Sequence, residues 1–148
     1  MPPVVAATGA PLFDRLTLRE EGTVDGSLLD AGGLRLSLRR EVERLFNTRC
    51  SRTIDEYLEG ELSVIDFGLP DFSHLSVQSE SDRSRLALVI HKALSAFEPR
   101  LSSVQVEVEP RERNGTRASI QAAVKLGREM RRVDFELASK NQGGPWSI

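Results

Sequence analysis

Three acidic residues in the middle of the chain are of the type that acid–base catalysis requires. Asp66 and Asp71 flank a short apolar segment, and Glu98 lies two residues before Arg100. A glycosidase needs two carboxyl groups roughly 5 to 10 Å apart, and one of them must be protonated. Arg100 favours the charged form of Glu98, whereas Asp66 and Asp71 suit hydrogen bonds to loop backbone. The sequence therefore predicts no catalytic residue, and a peptidoglycan-cleaving hydrolase is the enzymatic alternative.

The other candidate bases and nucleophiles have no evident partners. The two histidines, His74 and His91, stand in an irregular apolar segment and on a predicted helix. Cys50 is the only cysteine, which excludes an internal disulfide and a multi-cysteine metal site. Arg49 and Arg52 favour its thiolate, but no base or redox partner accompanies it. We expect no metal and no cofactor.

A corner at residues 97–100 separates a helical pattern from a strand pattern. Apolar residues upstream recur at helical spacing and predict a helix that begins between residues 79 and 84 and ends at Phe97. Pro99 prevents the helix from continuing. The helix dipole disfavours an anion at its C-terminal end, so Glu98 needs a cation, and Arg100 is close in sequence. The corner is the predicted partner-binding site, formed by Glu98, Pro99 and Arg100.

The order of the remaining elements predicts the fold class. A first helix is expected from about Leu34 to Asn47, and alternating apolar residues predict strands at 104–109, 118–126 and 132–137. Asn114-Gly115 is typical of a hairpin turn. Helices followed by consecutive strands predict an α+β domain with two main helices packed on a three-stranded antiparallel β-meander. Residues 1–11 are expected to be disordered, 12–138 to form the domain, and 139–148 to be a flexible tail.

Composition limits the partners and the compartment. The formal charge of the 148 residues is −2, which argues against a nucleic-acid-binding protein. No apolar run approaches the roughly 20 residues that cross a bilayer, and no basic residue precedes the mildly apolar N-terminus, unlike a signal peptide. We expect a cytoplasmic protein that neither binds nucleic acid nor inserts into membranes.

Two features indicate protein–protein contacts. The outer strands of a small sheet offer unpaired backbone groups to another chain, although the many strand charges equally suit protection against aggregation. An apolar cluster formed by Leu12, Phe13 and Leu16 precedes a polar loop. The cluster is either a short helix that folds onto its own core or a docking segment for another subunit. A regulatory adaptor that binds one soluble partner is a further function that fits this fold.

Four segments carry a family resemblance through their order and spacing. They are Leu12-Phe13-Asp14-Arg15-Leu16, Leu45-Phe46-Asn47-Thr48-Arg49, Ile65-Asp66-Phe67-Gly68-Leu69-Pro70-Asp71 and Phe97-Glu98-Pro99-Arg100-Leu101. Together, over about residues 12 to 137, they resemble the TssE family of type VI secretion baseplate subunits. That family is part of the contractile-phage baseplate wedge proteins, which are also named lysozyme-like. Phe67 stands where many members have tyrosine, and the Glu-Pro-Arg motif is intact.

The resemblance implies a structural rather than an enzymatic role. It implies a cytoplasmic baseplate wedge with TssF and TssG as partners, and TssK as a further candidate. It also implies that the sheet accepts strands of the sheath subunits TssB and TssC and so starts sheath polymerisation. Under this hypothesis Glu98 and Arg100 hold the corner through each other or through a neighbouring subunit, and the cluster of Leu12, Phe13 and Leu16 docks the chain into the wedge.

Overall fold

The computed structural model describes residues 7–11, 23–24, 28–141 and 143–148. Leu12, Phe13 and Leu16 lie outside these residues, as do 1–6 of the segment predicted to be disordered. The helices are α1 (Ala31–Asn47), α2 (Ile54–Glu59) and α3 (Glu80–Phe97), with a 3-10 turn at Val64–Asp66. The strands are β1 (Thr8–Gly9), β2 (Thr23–Val24), β3 (Leu28–Leu29), β4 (Leu101–Arg111), β5 (Gly115–Leu126), β6 (Glu129–Ser139) and β7 (Trp146–Ser147).

The expectation of two helices on a three-stranded meander is wrong. In the described residues the main sheet has four antiparallel strands in the order β4-β5-β6-β7, and the short strands form a second sheet in the order β1-β3-β2. A third helix, α2, lies between the two long ones. The short strands have two residues each, which is too few to produce a periodic sequence pattern.

The fourth strand comes from the segment that was expected to be a flexible tail. Trp146 is 3% exposed and packs edge-to-face on Phe46, with the ring centroids 5.4 Å apart. The side chain of Asn47 donates to the carbonyl of Trp146 at 2.9 Å and accepts from its N–H at 2.8 Å. Burial of a large indole outweighs the glycines and proline nearby, so the chain here is fixed against α1 and β6.

The core lies between the long helices and one face of the main sheet. Even-numbered residues of β5 are buried from 116 to 126, as expected of a strand with one covered face. α1 is capped by Asp30, whose side chain accepts from the N–H of Gly33, and α3 is capped by Ser79, whose side chain accepts from the N–H of Asp82. The largest fully buried side chains include Tyr57, Phe46, Leu38, Ile90 and Leu137.

Candidate assembly interface

The predicted corner joins the end of α3 to the start of β4 in four residues. Glu98 is the C-cap of α3, and its N–H donates to the carbonyl of Leu94 at 2.9 Å. The N–H of Leu101 then donates to the carbonyl of Glu98 at 3.1 Å. Pro99, between them, is exposed. Proline ends the helix here as expected, and two backbone hydrogen bonds fix the direction in which the strand leaves.

The cation that Glu98 needs is Arg100. Its Nε and Nη2 donate to the two carboxylate oxygens at 2.7 and 2.6 Å, and its backbone N–H donates to the first of them at 3.3 Å. The side chain of Glu98 is 5% exposed and that of Arg100 is 20% exposed. Nη1 of Arg100 also donates to Oγ of Ser37 in α1 at 2.8 Å. The pair therefore links three elements, α3, β4 and α1.

A second buried pair, which the sequence does not reveal, holds the 3-10 turn. Nε and Nη2 of Arg52 donate to the carboxylate of Asp66 at 2.6 and 3.0 Å, and the Asp66 side chain is 5% exposed. The backbone N–H and hydroxyl of Ser63 donate to the same carboxylate at 2.9 and 3.2 Å. Asp66 therefore accepts a hydrogen bond from the backbone of its own loop, as predicted, and the ion pair with Arg52 is an additional interaction. Residues 52 and 66 are too far apart in sequence for a local pattern to join them.

The loop around this pair is held on both sides. Oη of Tyr57 donates to the carbonyl of Gly68 at 2.8 Å, and Gly68 has φ +116. A Cβ on Gly68 would lie 2.5 Å from the carbonyl oxygen of Thr48, so only glycine fits there. Phe67, where the family pattern often has tyrosine, packs edge-to-face on Phe97 with the centroids 5.4 Å apart. The loop therefore supports the end of α3 from the side.

The carboxylates do not have the electrostatics of an acid–nucleophile pair. Hydrogen bonds from Arg52 and from the backbone N–H of Ser63 lower the pKa of Asp66. The backbone N–H of Ser73 lowers the pKa of Asp71 in the same way. Both shifts favour the ionised form, whereas a glycosidase acid needs a raised pKa.

The remaining candidates for chemistry are dispersed. His74 and His91 are exposed, and Cys50 is a partly buried free thiol. Among the described residues no three histidine, cysteine, aspartate or glutamate side chains come together as a metal site. No helix in the described ranges is long and apolar enough to span a membrane.

The two outer strands of the main sheet differ in how much of their edge is occupied. β7 pairs with β6 only at Ala138 and Ser139, so the rest of the outer edge of β6, on the side away from β5, has no strand beside it among the described residues. β4 pairs with β5 and with no other described strand. Both edges therefore keep backbone groups that another chain could bind.

Comparison with known proteins identifies the kind of assembly to which these features belong. A family model described as "Baseplate wedge protein gp25" matches residues 33–129. The chain belongs to the gp25 baseplate wedge family. The match covers both ion pairs, the end of α3, β4 and β5, and it stops where β6 begins. The predicted resemblance to contractile-phage baseplate wedge proteins is confirmed.

A solved structure supports the gp25-type fold. A chain of "The baseplate complex from the type VI secretion system" is 21% identical and superimposes with a TM-score of 0.50. The alignment covers 71% of this chain and 93% of that one. A search of curated proteins gives no match. The cluster of Leu12, Phe13 and Leu16 precedes the part that the gp25 family model matches.

Proposed function

We propose that this chain is a structural subunit of a type VI secretion baseplate that connects the wedge to the contractile sheath. Membership in the gp25 baseplate wedge family carries this proposal. The similar fold of a chain in a type VI baseplate complex adds support. A structural role agrees with a site in which Asp66 and Glu98 are each bound to an arginine.

The mechanism that we propose is strand addition. An incoming extended segment would continue the main sheet at an unoccupied edge and start sheath polymerisation there. Each backbone hydrogen bond gained contributes about 0.5–1.5 kcal/mol net, so a few of them with some apolar burial give useful affinity. The open edges of β4 and β6 support this mechanism.

The corner fixes the angle between α3 and the sheet in this proposal. Arg100 binds Glu98 and reaches α1, so the direction of β4 depends on both long helices. Pro99 and the exposed side of Arg100 remain available to a neighbouring subunit, whereas the carboxylate of Glu98 is occupied by its own chain. In this proposal Glu98 acts indirectly, because it positions the surface that Pro99 and Arg100 present to a neighbouring subunit.

The proposed partners follow from this placement. They are the wedge subunits TssF and TssG, with TssK as a further candidate, and the sheath subunits TssB and TssC. Leu12, Phe13 and Leu16 are proposed to dock the chain into the wedge. The cytoplasm is the compartment in which these partners would meet it.

Purification from the native cell tests the class of function. A tagged full-length chain at its own locus is expected to bring down wedge and sheath subunits in stoichiometric amounts. Recovery of one soluble protein unrelated to secretion would favour the regulatory adaptor. Turnover of purified cell wall that is lost on changing Asp66 or Glu98 would favour the hydrolase.

The variant Glu98→Ala tests the role of the corner. It is expected to leave the domain folded, because the Arg100 side chain is 20% exposed and can bind water once its partner is gone. Sheath assembly, followed with a fluorescent sheath subunit, is expected to fall because β4 loses its fixed direction. Glu59→Ala, at an exposed position, is the matched control. Normal sheath extension in Glu98→Ala would remove the assembly role of Glu98.

A further inference from the structure

We infer that the β4 edge, and not the β6 edge, accepts the incoming strand, and that this strand alternates aliphatic residues with lysine or arginine. The inference rests on the proposed strand addition and specifies its location. The apolar surface that remains to be buried distinguishes the two edges, and the free backbone groups and the charge of β4 specify the incoming strand.

The backbone of β4 is available over a defined stretch. Opposite residues of antiparallel strands alternate between pairs that exchange hydrogen bonds and pairs that direct these groups away. Pro110 has no N–H to give β5, so its pair with Thr116 belongs to the second kind. The register is regular from Gln105 to Arg111, and we therefore expect Val106 and Val108 to direct their N–H and C=O groups outwards.

Apolar burial favours β4 over β6. Val104 and Val106, on the covered side of β4, are only half-buried. The corresponding residues of β6, Val133 and Phe135, are already 8% and 6% exposed. A strand that adds beside β4 would bury new apolar surface, whereas beside β6 it would gain mainly hydrogen bonds.

A groove runs beside the β4 edge. A cavity of about 470 Å³ lies between the first half of α3 and β4, with Arg83 and Ala87 on one wall and Val106, Val108 and Pro110 on the other. A separate cavity of about 310 Å³ lies between the start of α1 and the end of the β5–β6 hairpin, among Arg35, Val124 and Arg132. The groove along β4 offers space for an extended segment.

Charge on the solvent side of β4 indicates the sequence of the partner. Glu107 and Glu109 are exposed on either side of Val108, and the ion pair of Glu109 with Arg117 is long at 3.8 Å. Opposite charges directly across two strands stabilise the pairing. An incoming strand with lysine or arginine at these positions and aliphatic residues between them complements both sides of β4.

The same edge carries features that limit uncontrolled pairing. The register shifts between Ser102 and Gln105, and Ser103 has φ 52, so the start of β4 is bulged. Pro110 marks the other end. The accessible stretch is therefore short, which disfavours edge-to-edge aggregation between copies while leaving room for one specific strand.

Two matched double variants test the edge assignment in the full chain at its own locus. Glu107→Arg with Glu109→Arg reverses the exposed carboxylates of β4, and Asp134→Arg with Glu136→Arg does the same on β6. The readouts are the number of extended sheaths per cell and co-purification with wedge subunits. The β4 variant is expected to lower sheath number at least tenfold with unchanged wedge co-purification, and the β6 variant to stay within twofold.

Single proline variants test the backbone directly. By the same alternation, Asp134 directs its backbone groups away from β5, so Val106→Pro and Asp134→Pro each remove one outward donor without breaking the β5 ladder. Circular dichroism and thermal melts establish whether each proline variant folds. If a proline variant does not fold, the charge variants test the edge assignment in its place. Loss of sheaths in the β6 variants alone would overturn the edge assignment and leave strand addition intact. Normal sheaths in all four variants would remove strand addition as well.

Discussion

Arg100 binds Glu98 and Arg52 binds Asp66 with the same two-bond geometry, and both carboxylate side chains are 5% exposed. The two regions differ in what else reaches the carboxylate. The three hydrogen bonds to the Glu98 carboxylate all come from Arg100, whereas the Asp66 carboxylate also receives two from Ser63. The corner at Glu98 therefore depends on one residue, and the loop at Asp66 has a second source of support.

The largest expected effect comes from removing the arginines one at a time. Arg100→Ala leaves the buried Glu98 carboxylate with only the long bond from the backbone N–H of residue 100, at 3.3 Å, and is expected to lower the free energy of unfolding by about 3 kcal/mol. Arg52→Ala is expected to cost less, because Ser63 still binds Asp66. Urea unfolding measures both. Arg85→Ala, which breaks the exposed pair with Asp55, is the control and should cost at most about 1 kcal/mol. An Arg52→Ala loss equal to that of Arg100→Ala would mean that the Ser63 bonds contribute nothing.

The dependence of stability on acidic pH tests the loop that contains Asp66. The pKa of Asp66 is lowered in the folded state, so its charge stabilises the protein above the unfolded value of about 3.9. This stabilisation is lost as the pH falls through the lowered folded pKa. In Asp66→Asn the urea midpoint is expected to be lower at neutral pH and to fall less between about pH 5 and about pH 2. Glu59→Gln, at an exposed position, should keep the wild-type profile.

The smallest expected effect tests the support behind the loop. Tyr57→Phe removes the hydrogen bond to the carbonyl of Gly68 while keeping the buried ring, and is expected to cost about 1 kcal/mol. Burial also raises the pKa of Tyr57, so the wild type should lose stability as the pH rises above about 10. Tyr57→Phe should lack that alkaline loss in a pH series of urea unfolding. An unchanged alkaline loss in the variant would assign it to another group.

The sequence predicts what is local in this fold and misses what is distant. Phe97, Pro99 and the adjacent charges predict the end of α3 and the pair at Glu98, because all the interacting groups lie within four residues. Arg52 and Asp66 are separated by α2 and a turn, so nothing in the sequence pattern indicates that they meet. Their side chains come together only after the loop packs on the core.

The fourth strand is missed for a different reason. Two paired residues are too short for a strand pattern, and the glycines before them are typical of a loop. Trp146 is the only tryptophan of the chain, and a large aromatic residue in an otherwise polar tail could have indicated that the segment returns to the core. The β4–β5 turn also differs in detail, since Arg113 and Asn114, rather than Gly115, have positive φ.

The two sides of the main sheet would transmit mechanical load to the helices by different routes. A force along β4 is transmitted to α3 through the covalent chain, and the ion pair of Glu98 and Arg100 stabilises the corner between the two elements. A pull on the outer side of β6 reaches α1 through the hydrogen bonds between Trp146 and Asn47. In a contractile machine the first route can bear tension without breaking a hydrogen bond, while the second would yield first.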